Sequence, residues 1–255
     1  MSVRRCVWLA MALVACLSGM PGGQRAEAAP LKLLDVAKSV DDDTHGKQAM
    51  ADLAALPLKE CTTVEYHVAL GRAARHANAA AQAAEASATA GIMPAQVAPS
   101  MIGLVSAEMP VLREWLRRRA DDLYEKSGTA LAAGDRKTAV KAYLVAVKCD
   151  PAVLTRDDRG LGKLGMDALR ALAAKHPEKA ELAFQLGYYS WIFGDAAGAI
   201  TALQAQQRSE KDAYKLWRGK LWLQVIQADV ARSAGDETSP ARPGGAIQPV
   251  QTARK

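Results

Sequence analysis

The sequence predicts an all-α fold, and three observations carry that expectation. Half of the residues are hydrophobic while aromatics supply only 5%, so alanine carries much of the apolar content. Alanine is the best helix former and a poor strand former. Apolar residues recur at helical spacing between capping signals. Gly and Pro collect where helices should end, and no stretch combines strand alternation with hairpin turns. At 255 residues the chain is long enough to bury a core.

The N-terminus has the pattern of an export leader. Arg4 and Arg5 precede an apolar run from Cys6 to Met20, Pro21-Gly22-Gly23 breaks it, and Ala26-Glu27-Ala28 supplies small residues for cleavage. The run is too short for a stable membrane span. Leu13-Val14-Ala15-Cys16 offers a second route, because it resembles the lipobox of bacterial lipoproteins. That likeness implies lipidation of Cys16 after removal of residues 1–15, and an outer-membrane destination because Leu17, not aspartate, follows. Residues 1–28 are therefore a signal peptide or, on the second route, 1–15 are a lipoprotein leader. Either route exports the protein, to the periplasm or to the outer membrane. Membrane contact is then expected only through the N-terminal lipid.

Beyond the leader, two regions are expected, residues 31–105 and 106–232. Leu31–Val40 and Lys47–Leu56 should form short amphipathic helices, stopped at Asp41-Asp42-Asp43 and Pro57. Thr62-Thr63-Val64-Glu65 fits a capping box, with Thr62 accepting from the Glu65 amide and Glu65 reaching back. The helix it opens should run to His76, followed by Ala79–Ala90 and, after Pro94 and Pro99, a long helix over Ser106–Ala133. Pro110 would lie early in that helix, where proline is tolerated. Gly134-Asp135 marks a left-handed helix end and the cap of the next helix. In that next helix Ala139, Ala142, Tyr143, Ala146 and Val147 form one apolar stripe, ended by Asp150-Pro151. Helices over Leu164–His176 and Glu178–Phe193 follow, then Gly194-Asp195, Ala197–Gln207, a capping box at Ser209-Glu210-Lys211-Asp212 and a helix to Arg232. Residues 233–255 are Gly, Pro, Ser, Thr and charge, a composition expected to stay disordered.

The two Gly-Asp junctions resemble each other. Ala139, Tyr143 and Ala146 follow Gly134 at offsets that Ala199, Leu203 and Gln206 repeat after Gly194, and Leu186-Gly187 and Ser190 precede the second junction. This pattern resembles the tetratricopeptide-repeat (TPR) family, in which small residues let paired antiparallel helices approach and a bulky residue fills the gap. The resemblance is carried by Leu123–Pro151 and Ala180–Gln207. Leu70-Gly71, Asn78, Ala83 and Ala90 sketch a third, more degenerate unit. The junction glycines stand 60 residues apart against a TPR period of about 34, so a helix-sized insert, Ala152–Lys179, interrupts the array. The expectation is a short α-solenoid of TPR-like pairs or an irregular bundle.

The family resemblance implies a protein-binding groove lined by the first helices of successive pairs. Carried onto this chain, the groove residues are Phe184, Tyr188, Trp191 and Ile192. Phe184, Tyr188 and Trp191 share one helix face and suit a docking hot spot. The same stripe would equally serve as the seat of the C-terminal helix, whose Leu216, Trp217, Leu221 and Trp222 need a partner. The implied role is a cell-envelope adaptor or scaffold for another protein. A structural lipoprotein without a groove, and a cryptic hydrolase using Glu108 as a raised-pKa acid, are the competing readings.

Other chemistry lacks the motifs it requires. The net charge is +6, and the leader carries +2 of it. The cluster Arg113, Arg117, Arg118 and Arg119 is followed by Asp121, Asp122 and Glu125, the pattern of a solvated helix face, without the broad basic stripe and stacking aromatics of a nucleic-acid binder. There is no G-x-S-x-G, Walker loop or dinucleotide fingerprint, so neither a catalytic site nor a cofactor is expected. His45, His67, His76 and His176 show no metal-ligand spacing. Cys61 and Cys149 either pair as a disulfide in an oxidising compartment or pack as small apolar side chains.

Overall fold

The structure, a computed structural model, describes residues 32–93 and 97–235. The export leader, Cys16 and residues 236–255 of the tail lie outside the described residues. All secondary structure among the described residues is helical. The helices are α1 (Leu33–Lys38), α2 (Asp43–Ala54), α3 (Leu58–Cys61), α4 (Val64–His76), α5 (Ala80–Ile92), α6 (Ile102–Ala132), α7 (Arg136–Cys149), α8 (Leu161–Lys175), α9 (Ala180–Ile192), α10 (Ala196–Ser209) and α11 (Ala213–Gly235). Short 3₁₀ turns occupy Pro99–Met101 and Pro151–Arg156. The boundary expected at residue 105 falls inside α6, and one continuous apolar core runs from Ala74 to Ile226.

Three helix pairs, α4/α5, α6/α7 and α9/α10, are closed by one junction repeated three times. Its central residue is left-handed in each: Asn78 (φ 52°), Gly134 (φ 78°) and Gly194 (φ 84°). The amide after it bonds back five residues, from Ala79 to the Ala74 carbonyl (2.8 Å), Asp135 to Ala130 (2.9 Å) and Asp195 to Ser190 (2.8 Å). The central amide itself bonds the carbonyl three residues back, in Arg75, Leu131 and Trp191. This is a Schellman closure, which satisfies carbonyls that a helix end leaves orphaned. Asp135 and Asp195 then cap α7 and α10 by accepting the Thr138 and Gly198 amides.

Small residues recur around each junction for a packing reason. Gly71, Ser127 and Gly187 stand seven residues before it, and Ala83, Ala139 and Ala199 five after; all six are buried. A Cβ added at Gly187 would lie 2.7 Å from Leu203 Cγ and 3.1 Å from the Ala199 carbonyl oxygen. The gap left by these small residues is filled nine residues after the junction by Tyr143 and Leu203, both fully buried. The first pair has only Ser87 there, which is why it is degenerate in sequence. Leu112 of α6 sits against Gly71 instead, 2.7 Å from where its Cβ would be. The insert between the second and third junctions is α8. It packs against both neighbours, with Gly165 against Leu144 of α7 and Gly162 against Phe193 after α9. Asp157 anchors its start by accepting the Leu161 and Gly162 amides at 2.9 and 2.8 Å.

Several local expectations change. Thr63, not Thr62, caps α4, accepting the Tyr66 amide at 3.2 Å. The Glu65 carboxylate is turned away to accept the Ala98 amide, a longer-range bond that a local box cannot compete with. Asp212 caps α11 by accepting the Lys215 amide at 2.9 Å, while Glu210 accepts the amides of Lys211 and Asp212. Helix α6 begins a turn early, so Pro110 lies in its interior on an exposed side. Helices α1 to α4 enclose a second, smaller core around Val40, Leu53 and Ala69. Arg72 ties it together by donating to the Ala37 and Val40 carbonyls at 3.0 and 2.8 Å, at the end of α1.

Candidate functional site

The aromatic stripe of α9 is where the sequence placed a groove, and α11 lies on it. Phe184, Tyr188 and Ile192 are buried and Trp191 is half-buried. Trp222 of α11 meets Tyr188 edge-on with centroids 5.1 Å apart, and Trp191 at 5.4 Å. Ile226, one turn further along α11, is buried in the same core. Gly219 lets α11 approach α10, since a Cβ there would meet the Gln206 amide. Gln206 in turn donates to the Lys215 carbonyl at 3.1 Å. That contact explains why a glutamine occupies the place that alanine holds in the second pair. Of the four residues expected to line a groove, Phe184, Tyr188 and Trp191 thus meet α11 of the same chain, and Ile192 is buried.

A charged network crosses this interface. Arg218 of α11 is buried, stacks 3.8 Å above the Phe184 ring, bonds Glu181 of α9 at 3.0 Å and bonds Glu85 of α5. Lys148 of α7 bonds Glu85 from the other side at 3.0 Å and lies 5.2 Å from the Tyr188 ring centroid. Two cations face two carboxylates, contributed by four helices. Burial opposes ionisation of Glu85, but the Lys148 and Arg218 charges outweigh it and hold the carboxyl below its ordinary range. Burial likewise opposes the Arg218 charge, and Glu85 and Glu181 overcome it. Burial pushes the Tyr188 and Tyr189 hydroxyls upward, so both remain neutral. None of the four charged residues was singled out from the sequence; their separations, up to 133 residues between Glu85 and Arg218, leave no local signal.

At the start of α11, Tyr214 and Trp217 stack on His67 of α4, with centroids 6.0 and 5.8 Å away and planes within 26° and 15°. His67 is fully buried, and neither ring nitrogen has a hydrogen-bond partner. Burial lowers its pKa to about 4, with the nearby Arg218 charge acting in the same direction and Glu85 against it. Helix α11 therefore touches both the first pair and the last.

The remaining candidates are placed as follows. Cys61 and Cys149 are free and buried, so the expected alternative of a disulfide is not formed. Their thiols lie near different carbonyls, of Leu56 and Ala80, in the small and the large core. Burial raises both, Cys149 to about 12, which suits apolar packing and not nucleophilic chemistry. Glu108, the candidate acid, forms ion pairs with Arg72 (3.4 Å) and Arg75 (3.0 Å). Asp41, Asp42 and His45 do converge, within 4.8 Å and fully on the surface; this corrects the expectation that no histidine has a neighbouring ligand. Asp42 is there as the cap of α2, accepting the Thr44 and His45 amides. An open cleft of about 460 Å³ lies between α4 and α6, lined by Arg75, Pro110, Val111, Glu114, Trp115 and Arg118. Glu114 there is held down to about 2 by the Arg117 and Arg118 hydrogen bonds. No helix among the described residues is long and apolar enough to cross a membrane. A comparison with protein-family models and with curated proteins gives no match.

Proposed function

We propose that this protein is an exported, TPR-like adaptor of the cell envelope that docks another protein through its stacked helix pairs. The observation that supports the reading most is the occupied inner face: α9, flanked by α7 and α10, presents aromatic rings that already seat an amphipathic helix, α11. A surface that holds one helix through Tyr188, Trp191 and a buried arginine has the chemistry to hold another. The repeated junctions support it too, because they build pairs of constant geometry whose stacking produces such faces. The leader supports the envelope location, either as a signal peptide or through a lipid on Cys16. Mass analysis of the mature N-terminus, with and without Cys16→Ser, separates those two routes.

Burial of Phe184 and Tyr188 against Arg218 and Trp222 of α11 favours a second reading, a self-contained structural body without a groove. Cross-linked purification from envelope extract separates the two. On the adaptor reading one protein is recovered in stoichiometric amount by the native chain. It is lost with Trp191→Ala, which is half-exposed and removable without emptying the core. Recovery of no partner favours the structural body, and a partner retained by Trp191→Ala places docking away from α9.

A further inference from the structure

Helix α11 is held by two different kinds of contact along its length. Its second half is anchored by Trp222 and Ile226, both buried in the large core, with Trp222 against Tyr188 and Trp191 of α9. Its first half leans on the first pair: Ala213 and Lys215 are exposed, and Tyr214, Leu216 and Trp217 are only half-buried. On the side of α4 and α5 that half is held by the stack of Tyr214 and Trp217 on His67 and by the Arg218–Glu85 ion pair, and on the side of α9 and α10 by the Arg218–Glu181 pair and the Gln206 bond to the Lys215 carbonyl. Loosely covered segments of this kind open locally while the remainder stays folded.

We propose that His67 makes this contact an acid-operated clasp: proton uptake by its imidazole releases Tyr214–Arg218 from α4 and α5, while Trp222 and Ile226 keep the rest of α11 in place. The groups facing His67 explain why protonation and closure exclude each other. From α4 itself comes the Tyr66 ring, edge-on at 5.1 Å. From α3 comes the Cys61 backbone, the one polar group that would favour a charged ring from that side. From α11 come the Tyr214 and Trp217 rings and the positive Arg218. From α5 comes Glu85, whose oxygens are engaged by Lys148 and Arg218. The tyrosine hydroxyls of Tyr66 and Tyr214 stay neutral because burial raises them. An imidazolium is attracted to the Trp217 face, but its two N–H donors lie in the ring plane, where neither nitrogen makes a well-formed hydrogen bond and the Cys61 backbone could serve one of them. A buried cation with a donor still unmet and the Arg218 cation beside it is relieved by reaching water. Opening supplies that water, so acid favours the open form. The clasp stands or falls independently of the adaptor reading, since its consequence is a change in this chain alone.

Hydrogen exchange on the full chain, converted to protection factors at each pH, tests it. A group that is neutral when closed and has an ordinary histidine pKa when open raises the open population about thirty-fold between pH 7.5 and pH 5. The structure assigns this loss of protection to Leu216–Arg218 and to the facing amides of α4, with Trp222–Ile226 changing less than three-fold. His67→Phe keeps the stacked ring and removes the titration, and should hold the protection of Leu216–Arg218 constant over the same range. If that variant fails to fold, the C2 proton shift of His67 in the native chain replaces it: an imidazole that titrates only as the Leu216–Arg218 amides lose protection supports the clasp. Uniform loosening of α11, an equal effect in His67→Phe, or unchanged protection at pH 5 would each overturn the proposal.

Discussion

Gly187→Ala tests whether the small residues at the helix crossings are there for packing. In an exposed helix interior the substitution is favourable by about 1 kcal/mol, because alanine loses less backbone freedom. At this position the new Cβ would stand 2.7 Å from Leu203 Cγ and 3.1 Å from the Ala199 carbonyl oxygen. Leu203 is fully buried and the other neighbour is backbone, so α9 and α10 must move apart. Overpacking of this kind costs about 1–3 kcal/mol. The steric cost exceeds the gain in helix propensity, and we expect net destabilisation of about 1 kcal/mol, read as a lower urea midpoint at constant slope by far-UV circular dichroism. In a Leu203→Ala background the Cγ is gone, so the penalty of Gly187→Ala should shrink by about 1 kcal/mol or more. Stabilisation by Gly187→Ala alone, or the same penalty in both backgrounds, would refute close approach as the reason for the glycine.

Gly134→Ala has no atom within 4 Å of the added Cβ, so its cost of about 1 kcal/mol comes only from the left-handed backbone and should not depend on neighbouring substitutions. Asn78→Ala should cost a similar amount in the same urea assay and Asn78→Gly almost nothing, since alanine loses the left-handed preference and glycine retains it. Arg218→Met leaves Glu85 with Lys148 alone in a buried site and should cost about 3 kcal/mol, measured by thermal unfolding. His67 has a folded pKa of about 4 against 6.5, so the unfolded chain binds the extra proton; its contribution is complete above pH 6.5 and about 3 kcal/mol is lost as the pH falls to 4. Glu85, held below its ordinary value, adds a loss only below about pH 4.5, and His67→Phe should flatten the upper window while leaving the lower one. Cys61 and Cys149 should ignore a thiol reagent in the native chain and both react in guanidinium; reaction with only one, or with neither after unfolding, would contradict two buried free thiols.

Short-range physics is legible in the order of residues. Helix spans were legible within a few residues because caps, prolines and the 3.6-residue period act locally. Gly134-Asp135 and Gly194-Asp195 named their own turns because only a left-handed residue closes a helix that way. Even Asn78 was visible at its junction, and the spacing of small residues around it pointed to close helix crossings. The remaining features depend on long-range packing. Whether Phe184, Tyr188 and Trp191 face solvent or another helix depended on where α11 came to lie, and nothing in their own helix encodes that. The Glu85, Lys148, Arg218 and Glu181 network, the cluster of His67 with Tyr214 and Trp217, and the separation of Cys61 from Cys149 unite or divide residues far apart in the chain. Such contacts form only when the burial of apolar faces brings distant helices together, and a linear pattern carries no record of that meeting.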